Sequence, residues 1–271
     1  MKKLSAVLVL LVCLVVSGLF AQQAQKVGWA TREINTPGVH SFVFSEGFPA
    51  TVEVYAFGAG GGGQGGHTKL YQQGIGGTRS ELGRGAGGGG GGAVYVKYTI
   101  TSPTTFNFTV GEGGAPGAGH SKGVGGSWES GKPGKQGGDT FFKIGSVSVI
   151  AQGGYGGGTS GSQNVAGGNG GGYSASPNNI LDWQTDFGVN GVNGRHNSQE
   201  GGSGGKSGTL SRGSLIHPGQ TPRSGRGGHI VPGMGTLDPT KGGGGMGGYG
   251  SANRPAQKGG NGKVILVIRK G

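Results

Sequence analysis

Cysteine is almost missing: the single one in 271 residues, Cys13, lies inside an apolar run at the N-terminus. No disulfide can therefore brace the rest of the chain. Charged residues are scarce at 13 %, and hydrophobic residues stand at 31 %, both below an ordinary globular domain. Beyond the N-terminal run, no apolar stretch is long enough for a membrane-crossing helix. Prolines number only 11 and no Gly-X-Y phase is kept, which excludes a collagen triple helix. The histidines, His40, His67, His120, His196, His217 and His229, are scattered in the sequence and none is paired at metal-ligand spacing. They read as solvated loop residues, so neither metal nor cofactor is expected.

What the chain has instead is glycine, 72 residues of it. Composition of this kind points towards disorder. The distribution points the other way, because the apolar residues gather in short β-branched and aromatic runs. Residues 1–21 read as a secretory signal peptide: Lys2 and Lys3, an apolar Leu4–Val16, then small residues up to Ala21. Cys13 belongs to its apolar core, since Leu11 and Val12 do not supply the small residues of a lipidation signal. Without Lys2 and Lys3 the chain carries 23 − 2 = 21 basic against 11 acidic residues, a net +10. An exported protein so charged is drawn to anionic envelope surfaces.

Period-two alternation marks the strands. VHSFVFS (39–45) and ATVEVYAF (50–57) are joined by a turn-like EGFP. AVYVKYTI (93–100) and TTFNFTVG (104–111) flank TSP, which predicts a hairpin. TFFKIGSVSVIAQ (140–152) reads as two strands bent at Gly145-Ser146, and VGWATREI (27–34) is a further candidate. KVILVIRK (263–270) is almost continuously apolar, which predicts an inner strand. No amphipathic helix is apparent. The fold class expected is an all-β antiparallel sandwich, one domain over 22–271, with glycine-rich insertions at about 58–92, 111–138 and 153–262.

Glycine runs can adopt the three-residue-per-turn extended helix of polyproline II while keeping their N–H groups. With no Cβ, neighbouring chains approach closely enough to exchange N–H···O and Cα–H···O contacts. Each glycine costs roughly 0.5–1 kcal/mol more to order than alanine, so such a lattice has to form cooperatively. The insertions are therefore expected to pack as polyglycine II helices.

TVEVYAFGAGGGGQGG, GAGGGGGGAVYVKYTI, TFNFTVGEGGAPG, TFFKIGSVSVIAQGGYGGG and the closing GGNGKVILVIRKG, in that order, resemble the glycine-rich domain of secreted bacterial proteins and phage tail adhesins. The resemblance covers about residues 40–271, and a glycine-rich region of some animal receptor-kinase ectodomains is similar. It implies a β-scaffold carrying packed polyglycine helices, with a receptor-contacting tip in the phage members. This chain departs from the phage type in its leader, which favours an exported envelope or surface protein.

Catalytic signatures fail on context. EGGSGGKS (200–207) has Glu200 where a phosphate-binding loop needs glycine, and no helix follows it. GGSGG at 201–205 lacks the strand–turn–helix setting of a nucleophile elbow. Asp182 and Asp186 are too sparse for a calcium loop. The cations Arg195, Lys206, Arg212, Arg223, Arg226, Lys241 and Arg254 are diffuse, unlike a nucleic-acid interface. An enzyme is not expected. Glycine thins out at GGYSASPNNILDWQTDFGVNGVNGRHN (171–197), where Tyr173, Ile180, Leu181, Trp183 and Phe187 precede Arg195. Aromatics among Asn, Asp and Gln suit glycan or protein recognition. They equally suit a plug beneath a glycine bundle, and Trp128 in GGSWESGK stands on the same terms. Two functions follow as expectations: an adhesin-like surface or envelope binding module using Trp128, Tyr173, Trp183, Phe187 and Arg195, or a structural component of the cell envelope or of an extracellular or periplasmic assembly.

Overall fold

The computed structural model describes residues 29–73, 77–83, 85–122, 131–144, 147–158, 168–175, 180–193, 202–213, 229–231, 235–237 and 256–270. The expected leader, Trp128 and Arg195 lie outside the described residues. None of the described residues is helical. The strands are β1 (Trp29–Ile34), β2 (Gly38–Phe44), β3 (Ala50–Phe57), β4 (His67–Gln73), β5 (Gly77–Gly83), β6 (Ala93–Ile100), β7 (Thr104–Val110), β8 (His120–Lys122), β9 (Thr140–Ile144), β10 (Val147–Ala151), β11 (Tyr173–Ala175), β12 (Asp182–Asp186), β13 (His229–Val231), β14 (Gly235–Leu237) and β15 (Lys263–Lys270).

Two antiparallel sheets of five strands form the sandwich, in the orders β1-β15-β3-β6-β12 and β11-β10-β9-β7-β2. Alternation explains the core. Val52, Val54 and Ala56 of β3, Val94, Val96 and Tyr98 of β6, and Val264, Leu266 and Ile268 of β15 point inward. They meet Phe106, Phe108 and Val110 of β7, Phe142 and Ile144 of β9, and Val147, Val149 and Ala151 of β10. The opposite face of the first sheet is covered too. There Tyr55, Phe57, Ala93, Tyr95, Ile265 and Val267 bury with Leu210, which descends from a strap at 208–213. Burial on both faces is why β15 reads as a continuous apolar run, and it does occupy an inner position, between β1 and β3.

The expected TSP hairpin is corrected. β6 belongs to the first sheet and β7 to the second, so Thr101-Ser102-Pro103 crosses between the layers. The apolar faces of these two strands are both needed inside the sandwich, on opposite layers, and side-by-side pairing would not supply that. EGFP crosses in the same way, from β2 to β3. By contrast β9 and β10 are true hairpin partners, Val147 opposite Ile144.

The glycine segments stack beside the sheets as a lattice. Gly58, Gly61 and Gln64 donate to the carbonyls of Gly92, Gly89 and Ala86. Ala59, Gly62 and Gly65 donate to Gly138, Lys135 and Lys132, while Gly60 and Gly63 donate to Gly260 and Gln257. Each neighbour is met every third residue, the repeat of a polyglycine II helix. The same segment accepts from Gly114 and Gly117 on one side and from Gly154 and Gly157 on another. Segment 85–92 is surrounded likewise, by 152–155, 168–171, 189–192 and 202–208 as well as 58–64. These bonds, 2.8–3.1 Å long, run between segments, so none closes until its neighbour is in place.

Sterics separate inner from outer helices. A Cβ on Gly58, Gly61 or Gly88 would lie 2.1, 2.1 or 2.2 Å from a backbone carbonyl oxygen of a neighbouring segment. The enclosed segments 58–66 and 85–92 are glycine at every position but Ala59, Gln64 and Ala86. At the rim only every third residue faces inward. Thus GKPGKQG (131–137) keeps Gly131, Gly134 and Gly137, and FGVNGVN (187–193) keeps Gly188 and Gly191, leaving the residues between them to face solvent.

Candidate binding flank

The insertion expected at 153–262 does more than add glycine: it supplies an edge strand to each sheet, β11 and β12. β12 pairs with β6, Trp183 opposite Val96. Val96 is an inner-face residue, so Trp183 stands on the inner face at the sandwich margin and is 49 % exposed. Ile180 and Tyr173 are partly buried against the core there. The Tyr173 and Phe187 rings meet at 5.0 Å, tilted by 50°. Tyr173, Trp183 and Phe187 thus gather on one flank of the molecule.

The stretch divides by burial. Tyr173 and Ile180 plug the margin, whereas Leu181, Trp183 and Phe187 are exposed. Val189 and Val192 on the rim helix extend the apolar ridge and were missed in the sequence reading. Their signal was the three-residue phase of G-V-N-G-V-N, which turns Gly188 and Gly191 inward and the valines out.

The ridge rests on a fixed base. Asp182, Gln184 and Asp186 alternate on the outer face of β12 and hold the strap. Asp186 Oδ2 accepts from the Thr209 N–H at 2.6 Å, Gln184 Oε1 from the Ser211 N–H at 2.8 Å, and Asp182 pairs with Arg212 at 2.6 Å. Gly213 closes the strap at φ +97°, where a Cβ would meet the Tyr55 hydroxyl. On the rim, Asn190 Oδ1 accepts from the Gly170 N–H at 2.8 Å. Beneath the strap, burial first and then Glu53 and Tyr55 raise the Tyr95 phenol well above its ordinary value. Glu53, itself buried, accepts from the Tyr55 hydroxyl at 3.1 Å and lies 3.6 Å from Arg269.

Such a surface can stack against a flat apolar partner and offers amide and carboxylate groups beside it. No group of three or more His, Cys, Asp or Glu positioned to hold a metal is found among the described residues. No curated protein matches the chain. The family model described as a glycine-rich domain matches residues 36–269, which take in the sandwich apart from β1, the lattice and the flank. The chain belongs to this glycine-rich domain family.

Proposed function

We propose that the protein is a non-enzymatic, exported binding module that contacts a glycan or protein ligand of a cell surface or envelope through the flank of β12 and residues 187–193. The observation that carries this reading is the exposed ridge of Leu181, Trp183, Phe187, Val189 and Val192 on a base tied by backbone hydrogen bonds. Five exposed large apolar side chains within twelve residues are the kind of surface that marks an interaction site where they join into a patch. Resemblance to secreted bacterial proteins and phage tail adhesins supports the surface setting, and the leader-like start at residues 1–21 supports export. The net +10 computed without Lys2 and Lys3 favours an anionic partner surface.

The test is binding of the chain from residue 22 to isolated bacterial envelopes and to a glycan array. Trp183→Ala and Phe187→Ala should each weaken retention at least tenfold, with the unfolding midpoint nearly unchanged because both side chains are about half exposed or more. Undiminished retention by the double variant would sink the flank reading.

A second reading is a self-assembling structural protein. β2 ends the second sheet, and its Val39 and Val43 are 82 % and 59 % exposed. Lysine and proline, the usual guards of an edge strand, are absent from GVHSFVF. Sedimentation velocity across a hundredfold concentration range separates the two, since assembly through β2 predicts growing species that Val43→Lys suppresses.

A further inference from the structure

We propose that two copies of this protein pair through β2 into a closed, two-fold dimer built on one continuous sheet. β2 ends the second sheet, so its outward N–H and C=O groups have no neighbouring strand among the described residues. Pairing with β7 fixes its two faces. His40 and Phe42 stand opposite Phe108 and Phe106, which are buried in the core, so both face inward. Val39, Ser41 and Val43 therefore lie on the outer face, and the two valines are 82 % and 59 % exposed.

The strand is self-complementary. An antiparallel two-fold centred on Ser41 pairs every residue of Gly38–Phe44 with a second copy. Val39 then lies opposite Val43 of the second copy, and Ser41 opposite its Ser41. On the inner face His40 meets the second copy's Phe42. Apolar pairs directly opposite one another, with Cβ atoms about 4.5–5.5 Å apart, are the unit that stabilises a sheet. Moving the axis one residue either way sets one valine against Ser41 and leaves the other past the end of the partner strand. β2 carries no Lys, Arg, Asp or Glu, so no like charges are brought together. The neighbouring edge at this margin is guarded. β1 ends the first sheet, and its Arg32 sets the guanidinium 4.3 Å from the centroid of the inward Phe42 ring. An inward-pointing charge keeps an edge strand from pairing, which confines association to β2.

Closure distinguishes this pair from the open-ended growth of the structural reading, because both β2 edges are used and the dimer stops at two copies. The joined sheet runs β11-β10-β9-β7-β2 and back through the second copy in reverse. Its two β11 strands are nine spacings of ~4.8 Å apart, about 43 Å. Tyr173 of β11 touches Phe187 just beyond β12, so both flanks stay free at the far ends. On the reading of the flank as the binding surface the dimer is bivalent, while the pairing itself needs nothing of the flank.

Sedimentation equilibrium of the chain from residue 22 across a hundredfold concentration range tests the proposal. The mass should plateau at twice that of the monomer, and Val43→Lys should weaken association at least tenfold. Trp183→Ala should leave the dimer intact, so failure of the flank reading and failure of this one are separable. Disulfide trapping reads the register, since the chain from residue 22 has no cysteine of its own. Opposite residues of an antiparallel pair stand about 4.5–5.5 Å apart at Cα, inside the range a disulfide spans. Ser41→Cys, at an exposed position, should cross-link to its own second copy on mild oxidation. Val39→Cys should do so at least tenfold more slowly, because the two copies of position 39 lie four residues apart along the pair, about 14 Å. Monomer at every concentration, species growing past two copies, undiminished association of Val43→Lys, or equal trapping of the two cysteine variants would each overturn it.

Discussion

At Gly61 the smallest possible addition, one methyl group, would place its carbon 2.1 Å from the Tyr155 carbonyl oxygen. The obstacle is backbone, which cannot swing aside as a side chain would. Gly61→Ala should therefore cost at least the upper part of the ~1–3 kcal/mol typical of overpacking, measured by urea unfolding. Ala118→Ser, at an exposed rim position, should stay within about 0.5 kcal/mol. Tyr98 poses the converse case. Its hydroxyl is buried and finds no hydrogen-bond partner, and burial raises its pKa well above the ordinary value. Tyr98→Phe removes a desolvated polar atom and should stabilise the fold by about 1 kcal/mol. A phenol whose folded pKa is raised contributes stability that is complete below its unfolded pKa of about 10 and lost as pH rises above it. Stability should accordingly fall from pH 10 upward, and Tyr98→Phe should make that fall shallower in melts taken from pH 9 to 11.

Among the elements, β12 carries two roles on its two faces. Trp183 lies towards the sandwich interior at the open margin, while Asp182, Gln184 and Asp186 grip the strap on the other side. Asp186 accepts from both the Phe187 and the Thr209 N–H groups, joining the strand to the rim helix and to the strap. Asp186→Ala leaves two donors without that acceptor and should cost about 1–3 kcal/mol. Amide exchange at Thr209, Leu210 and Ser211 should quicken by tenfold or more while β3 and β15 stay protected. Equal protection in the variant would show that Leu210 alone holds the strap down.

Over the whole molecule, hydrogen bonding between glycine segments makes the lattice an all-or-none structure. Each bond is worth only about 0.5–1.5 kcal/mol net, comparable with the extra cost of ordering a glycine. Stability must therefore come from many bonds closing at once against the preformed sheet ends. Amides at 58–66 and 85–92 should be protected to the same level as those of β3 and β6, within about 1 kcal/mol, and unfold in the same transition. Exchange of the glycine amides at the unfolded rate, with only the strands protected, would show a sandwich bearing loose linkers.

Much of this was legible in the sequence. The alternation of β2, β3, β6, β7, β9, β10 and β15 shows in the chain because each strand buries a face or both. The polyglycine helices show because only bare backbone fits a close-packed bundle, and the three-residue phase at the rim is written in GKPGKQG and FGVNGVN. The remainder depended on partners distant in the chain. TSP looked like a hairpin since local pattern does not say which layer a strand joins. β12 carries no strand alternation of its own beyond DWQTD and exists by pairing with β6. The division of the aromatic stretch into plug and ridge was set by the register of segments lying side by side. Residue type and period are local and survive in a sequence, whereas register is a relation between segments and is decided only when they pack.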